Sequence, residues 1–547
     1  MRWFSSFTLT IASVLLTTFP VIAADSIIIP LGKTSISISI DSLENYAQKG
    51  TINPKESLST YLQLLSPEQK QTLIRLLKIR YTNQYISIQP FFNSPLILAF
   101  LSYLGNIIQT QSGDNGVEAI QTSLIEVANI PNGFTIIDVM RRFPSPEIHL
   151  DIEQTLEILT RIFTLVQQTQ TVTKSLEILS NIEAKKAEFT DFSQKPDLRK
   201  PGNFKSIKKT ITVNNSENNR NFEVDIYLPD TSNSSDQIHP VIVISHGLAS
   251  DRSRFESLAR HLNSYGFAVA VPEHPGSDYQ QFQSLLKGEV KDLFEPEQFI
   301  DRPRDITALL NQLEKLNSSD FNNQLDLKNV GVIGHSLGGY TALVLAGATL
   351  NFTQLKTQCQ QSDIPLNPSV FLQCRALELS DNNYQLKDPR VKAIFVLNPV
   401  NSIILGQSGI SKIKIPIFIT ASSIDFLAPA LSEQLQSFTW LTTSDKYLMM
   451  QNHATHFYDI TSENTSELSK LPAFVPPTSE ISRDYIKALS TAFFNTYLTQ
   501  NSQYKPYLNA AYIQTISDQA YPLSLIKSLT PNQLTNAIKG ITSGSNQ

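Results

Sequence analysis

The stretch Val330-Gly331-Val332-Ile333-Gly334-His335-Ser336-Leu337-Gly338-Gly339 carries the most information in the chain. Val330 to Gly334 is a short apolar run with β-branched residues, which reads as a strand buried on both faces. Tyr340 to Ala348 reads as a helix. Between them sits a Gly-x-Ser-x-Gly pattern. A strand that turns at once into a helix forces unusual backbone angles on its central residue. Small residues two before and two after it let neighbouring backbones approach. Such a turn lifts the Ser336 hydroxyl clear of the sheet and sets it at a helix N-terminus, whose partial positive charge favours a developing negative charge. The pattern alone arises by chance. With a strand before it and a helix after it, Ser336 becomes a candidate nucleophile rather than part of a structural glycine-rich turn.

Outward from this turn, strands and helices alternate. Ile207 to Val213 and Phe222 to Leu228 read as a hairpin, and Val241 to Ser245 and Phe267 to Val271 as buried strands. Phe255 to Tyr265 reads as a helix capped by Gly266, and Arg304 to Leu316 places Ile306, Leu309, Leu310 and Leu313 on one helical face. Val391 to Leu397, Ile415 to Thr420 and Lys446 to Met450 are further strands, and Ser479 to Tyr497 a last helix. This alternation predicts an α/β fold: a mostly parallel sheet covered by helices, over about residues 206–530. Residues 531–547 read as a flexible tail.

The amino-terminal part has a different rhythm. Ser26 to Ile29 and the alternating Thr34 to Ile40, joined by a turn at Leu31-Gly32-Lys33, read as a hairpin. Ser66-Pro67-Glu68-Gln69 starts a helix, with Leu73, Ile74 and Leu77 on its apolar face. Leu150 to Leu179 is amphipathic through Ile152, Leu156, Leu159, Phe163 and Val166. Residues 25–182 therefore read as a smaller, mainly helical domain with a β-hairpin, followed by a charged, proline-containing linker at 183–205. This domain holds no recognisable chemical constellation; His149, its only histidine, reads as a surface residue near a helix start.

Residues 1–24 read as a signal peptide: Arg2, an apolar stretch to Ile22, and small residues at Ala23-Ala24 before Asp25. An uncleaved anchor is the alternative; cleavage implies a periplasmic or extracellular protein with no remaining membrane span. Export implies an oxidising compartment, so the two cysteines, Cys359 and Cys374, are expected to form a disulfide, with two buried free thiols as the alternative. No histidine lies near either, which argues against a metal site. Net charge is −5, charged residues make up 17% of the chain, and no long basic run occurs, so nucleic acid is not an expected partner.

With these motifs the region from about 205 to 530 resembles the α/β-hydrolase superfamily, and within it the dienelactone-hydrolase-like and platelet-activating-factor-acetylhydrolase-like esterases. The amino-terminal segment resembles the helical domain of unknown function that precedes such hydrolases in cyanobacteria. Dienelactone hydrolases use a cysteine nucleophile where this chain has Ser336, so that substrate class does not transfer.

A serine hydroxyl needs an adjacent base. In this fold the chain order is Ser, acid, His, which leaves His453 and His456. The Ala454-Thr455-His456-Phe457 stretch is similar to the family's histidine loop and favours His456; His453 reads as an exposed loop residue. Asp425 follows the strand ending at Thr420 by a short loop and is the candidate acid. Asp363, Asp381 and Asp388 lie in a polar insert, and Asp445 stands at the wrong end of a strand. The acetylhydrolase branch places its acid one strand earlier, where this chain has Asn398, which carries no charge.

The resemblance also implies an oxyanion hole from the backbone N–H groups of Leu337 and of Leu248, the latter in Ser245-His246-Gly247-Leu248. His246 and His335 read as structural, and His274 as a residue behind the pocket rim. The insert at about 349–390 is expected either to cover the site as a lid or to be a surface excursion pinned by the disulfide. These expectations describe a serine carboxylic-ester hydrolase acting on a small-molecule or lipid ester without metal or organic cofactor. An acyltransferase using the same residues and a catalytically silent binding protein are the alternatives.

Overall fold

The computed structural model of the chain describes residues 23–31, 34–81, 88–215, 218–230, 237–360, 366–456 and 480–540. The expected signal peptide and the turn at 32–33 fall almost wholly outside them. Among the described residues no helix is long and apolar enough to cross a membrane. The chain divides into two compact units, 1–93 with 97–158, and 94–96 with 159–547.

In the first unit, β1 (Ser26–Leu31) and β2 (Thr34–Ser39) pair antiparallel, as their alternating pattern predicts. Two strands were not foreseen: β3 (Ile108–Gln109) and β4 (Glu147–Leu150) extend the sheet to the order β2-β1-β4-β3. Strands of two and four residues are too short to leave a periodic signal. His149 is thus a strand residue three positions before the helix that begins at Ile152, near a helix start as expected, with its Nε2 2.9 Å from the Glu147 carboxylate. The helix Pro67–Lys78 begins at the expected capping box, in which Ser66 and Gln69 satisfy each other's backbone N–H.

The helix Ile152–Lys186 runs through the position expected for a domain boundary. The division between units falls near residue 158, and Leu198, inside the expected 183–205 linker, is fully buried in the second unit's core. Leu156, Phe163 and Val166 remain exposed, whereas Val172 and Leu176 are buried. Periodicity specifies a helix; which part of its apolar stripe is covered depends on residues far away in the chain.

The second unit is built on nine strands: β5 (Ser206–Asn215), β6 (Arg220–Pro229), β7 (His239–Ser245), β8 (Ala268–Pro272), β9 (Leu325–His335), β10 (Val391–Leu397), β11 (Ile417–Ser422), β12 (Lys446–Gln451) and β13 (Leu523–Ile526). Their order is β13-β12-β11-β10-β9-β7-β8-β6-β5. Strands β7 to β12 are mutually parallel; β6 and β13 run antiparallel to their neighbours β8 and β12, and the edge strand β5 pairs antiparallel with β6.

Side chains alternate between two cores. Val241 and Val243 join one with Ile306, Leu309 and Leu310; Ile242 and Ile244 join the other with Leu258, Leu262, Leu489 and Phe493. Both faces are therefore covered by helices, which explains the near-continuous apolar runs. The segment expected to be a flexible tail contains the helix Pro531–Ile538. A Thr530–Gln533 capping box and Pro531 at its first turn start it, and Leu534 and Ala537 are buried.

Strand order reverses at β7, which lies between β8 and β9. In open α/β sheets the crevice at such a reversal, outside the carboxyl ends of the strands, is where ligands bind.

Cys359 and Cys374 form the expected disulfide across 15 residues. Replacing both by alanine should lower the unfolding free energy by about 3 kcal/mol in the loop-closure picture, measurable by urea titration. Burial pushes the His261 imidazole down to about 4 and that of His335 down to about 3, and it drives His274 well below the usual 6.5. Below pH 6.5 the unfolded chain therefore binds more protons than the fold. The stability these groups contribute is complete above that pH and is lost as pH falls, by up to about 1.4 kcal/mol per pH unit for each histidine. Melting temperatures should decline between pH 6.5 and 4; a flat profile across that window would contradict the burial of these rings.

Candidate active site

Ser336 stands between the end of β9 and the helix Leu337–Leu345 with φ 55° and ψ −116°, a conformation costing a non-glycine residue roughly 1–3 kcal/mol. The surrounding glycines permit it. A Cβ on Gly334 would lie 2.0 Å from the Gly338 carbonyl oxygen, and one on Gly338 would lie 2.0 Å from that of Ser245. Backbone bonds hold the turn in place: Ser336 N–H donates to Leu397 O at 2.9 Å, and Val400 N–H donates to Ser336 O at 3.3 Å. Every residue from 330 to 346 is buried except Ser336, which is half-buried. The hydroxyl is thus lifted out of the sheet, as the sequence pattern implies.

Asp425 lies three residues beyond β11, and His456 five residues beyond β12. Both are buried, and His456 Nδ1 is 2.8 Å from Asp425 Oδ2. The two loops are stitched together by Ile424 N–H donating to Ala454 O at 2.9 Å. His456 is also tied to the elbow, since His335 Nε2 lies 2.9 Å from the His456 carbonyl and the two rings are 5.0 Å apart. Because burial keeps the His335 ring uncharged, with the nearby His456 adding to the effect, Nε2–H acts there as an ordinary donor. His453 is exposed, with Nδ1 2.9 Å from Ala520 O, and takes no part in this cluster.

The Asp425 carboxylate has four donors. Oδ1 accepts from the N–H groups of Leu427 at 3.0 Å and Ala428 at 2.8 Å; Oδ2 accepts from His456 and from Asn398 Nδ2 at 2.7 Å. Asn398, at the end of β10, is fully buried with φ 42°. Its orientation follows from Thr420. That hydroxyl accepts from Asn398 N–H at 3.3 Å, so its own proton goes to Asn398 Oδ1 at 3.2 Å, leaving the NH₂ toward Asp425. In the sequence Asn398 is visible only as an uncharged residue where an acid might stand. Its contact with Asp425 joins residues 27 apart, just beyond the ends of the neighbouring strands β10 and β11, which no local pattern reveals.

The loop after β7 passes beside the elbow. A Cβ on Gly247 would lie 3.2 Å from His335 Nδ1 and 3.4 Å from Ser336 Cβ. His246 Nδ1 is 2.8 Å from Gly247 O, which can only accept, so Nδ1 carries a proton there; Nε2 lies 3.2 Å from both His274 N and Glu273 Oε1. The carbonyl and N–H of one peptide unit point in opposite directions. Holding Gly247 O on the histidine side therefore turns Leu248 N–H the other way. Among the described residues neither Leu248 N–H nor Leu337 N–H has a hydrogen-bond partner. His274 is buried behind this loop, its Nε2 2.9 Å from Ser245 Oγ.

The second half of the insert is anchored by Glu433, a fully buried residue the sequence does not single out. Its carboxylate accepts from Asn367, Ser369 and Gln373 of the insert and from Asn401 and Ser402 beyond β10. Ser369 N–H also donates to Leu427 O at 3.0 Å, in the loop that carries Asp425. Among the described residues no group of three or more His, Cys, Asp or Glu side chains is placed to hold a metal ion.

Two family models match the chain. Residues 240–351, from β7 through the elbow helix, match one described as alpha/beta hydrolase fold. Residues 23–151 match one described as alpha/beta hydrolase of unknown function (DUF1400). The sheet order, the strand-to-helix turn at Ser336 and these matches agree, and the chain is a protein of the α/β-hydrolase fold preceded by a smaller amino-terminal domain.

Proposed function

We propose that the second unit is a serine carboxylic-ester hydrolase in which Ser336 is the nucleophile, His456 the base and Asp425 the acid. The observation that carries this reading is the buried Asp425–His456 pair, 2.8 Å apart, tied through the His456 carbonyl to the residue before the strained serine. His456 takes the proton from Ser336 as the oxygen attacks an ester carbonyl. Asp425 holds the imidazole in the tautomer protonated on Nδ1 and offsets its charge once Nε2 is protonated. The N–H groups of Leu248 and Leu337, without partners among the described residues, receive the oxyanion. The leaving alcohol takes the proton back, and water then releases the acyl group by the same steps.

Phe426 and Leu427, directly after the acid, are 60% and 43% exposed. Apolar side chains at this place favour an ester with an apolar acyl or alkyl group, bound by burial of that surface. The disulfide supports an exported protein working in an oxidising compartment.

A panel of chromogenic esters of increasing chain length tests the reading. Ser336→Ala and His456→Ala should each lower kcat/KM by about 10⁴-fold or more without shifting the melting temperature greatly. Equal hydrolysis by wild type and Ser336→Ala would end the proposal. An added alcohol that diverts most of the acyl group into a new ester would assign acyl transfer instead.

Asn398 supplies a second test. Asn398→Ala removes a buried hydrogen bond to a charged group and should cost about tenfold to a hundredfold in kcat/KM. Asn398→Asp sets a second carboxylate beside Asp425. The extra negative charge favours protonated His456, so the acid limb of the kcat/KM profile should move to higher pH. An unmoved limb would show that Asn398 does not act through the pair.

A further inference from the structure

Arg302 is a buried cation whose hydrogen bonds go to the oxyanion loop rather than to a carboxylate. It lies one turn into the helix Gln298–Asp320, directly before Pro303, and is 0% exposed. Nη2 donates to the His246 carbonyl, and Nη1 lies 3.5 Å from Ser277 Oγ. Nε has no partner among the described residues, and none of their carboxylates is within ion-pair distance of the guanidinium. Asp278, Asp305 and Glu273 act on it only at longer range, and burial pushes its pKa down to about 9. Burying a guanidinium without a direct counter-ion is costly, so what it touches is informative.

The two groups it reaches bracket the loop. The His246 carbonyl immediately precedes Gly247 and is packed against the elbow, since a Cβ on Gly338 would lie 2.7 Å from it. Ser277 receives, on its carbonyl, the N–H of Ala249 at 2.8 Å, and Ala249 has φ 54°. One guanidinium fork thus spans from the start of the loop to the residue that holds its end. Between these two fixed points lie the N–H groups of Gly247 and Leu248, neither with a partner among the described residues, and Leu248 N–H belongs to the peptide whose carbonyl is held on the His246 side.

We propose that Arg302 is the positioning residue of the oxyanion hole: by gripping the His246 carbonyl and the Ser277 hydroxyl it holds residues 246–249 so that Leu248 N–H faces the Ser336 side. The proposal rests on the reading of Ser336 as nucleophile. A fluorophosphonate probe tests both while keeping them distinguishable. In its reaction a serine oxygen bonds to phosphorus, fluoride leaves, the hydroxyl proton goes to the base, and the phosphoryl oxygen occupies the oxyanion position.

Labelling is followed over a range of probe concentrations to separate the maximal rate from probe binding, and is normalised to folded protein by far-ultraviolet circular dichroism. Arg302→Met should lower the maximal labelling rate about tenfold to a hundredfold and leave half-saturation within about twofold. Arg302→Lys, which keeps the charge without the fork, should recover part of the rate, and Ser277→Ala should lose less than Arg302→Met. An unchanged maximal rate per folded molecule in Arg302→Met, or a loss confined to half-saturation, overturns the proposal. If Arg302→Met does not fold, unchanged maximal rates in both Arg302→Lys and Ser277→Ala overturn it instead. Ser336→Ala is the separating control. Unlabelled Ser336→Ala beside normally labelled Arg302→Met removes the role of Arg302 alone. Ser336→Ala labelled as fast as wild type removes the hydrolase reading itself.

Discussion

The close approach of backbones at the carboxyl edge of the central sheet is the constraint from which the rest of the site follows. Gly334 and Gly338 lie so near one another, and Gly338 so near Ser245 O, that no side chain fits at either glycine. The strained angles at Ser336 persist because the residues around it are packed on all sides and its own N–H and carbonyl are bonded to residues 397 and 400. Those bonds bring the end of β10 against the elbow. The next residue there, Asn398, donates to Asp425, and Asp425 pairs with His456. The serine turn and the acid–imidazole pair are thus joined by one continuous path of short contacts.

The electrostatics around this path have a common feature. Asp425 is surrounded by two backbone N–H groups and an amide, and Glu433 by amides, hydroxyls and backbone N–H groups. Among the described residues neither has a lysine or arginine at ion-pair distance. Neutral donors satisfy a buried carboxylate while leaving its charge largely uncompensated. In the proposed mechanism, the imidazolium formed at His456 is then the cation that the Asp425 charge meets. Arg302 is the converse, a buried cation whose hydrogen bonds go to a carbonyl and a hydroxyl. Fixed dipoles and uncompensated charges of this kind are worth more in a dry, low-dielectric interior than in water, because no solvent has to reorient around them.

Among the described residues the first unit holds no comparable cluster. Its small mixed sheet and short helices are held by apolar packing around Ile40, Tyr46, Leu101 and Ile148. The second half of the insert after the elbow helix is bonded to the Glu433 carboxylate, and the disulfide joins that half to the helix ending at Cys359 within the insert itself.

The amino-acid sequence by itself determined what is local or periodic. The runs at 241–245, 330–334 and 391–397, the Ser66–Gln69 capping box, the glycines around Ser336 and the order of Ser336, Asp425 and His456 are all legible, because each depends on residues a few positions apart or on a fixed fold order. Only the tertiary structure decided the rest. The short strands β3, β4 and β13 exist through their neighbours, since a few residues carry too little pattern to specify themselves. The exposure of Leu156 and Phe163, the burial of Leu198 and the capped helix at 531–538 within an apparently loose tail turn on what lies opposite each stretch. Asn398, Glu433 and Arg302 owe their partners to residues 22 to 66 positions away. A hydrogen bond across strands follows from register and strand order, and these are set by packing of the whole sheet rather than by any one segment.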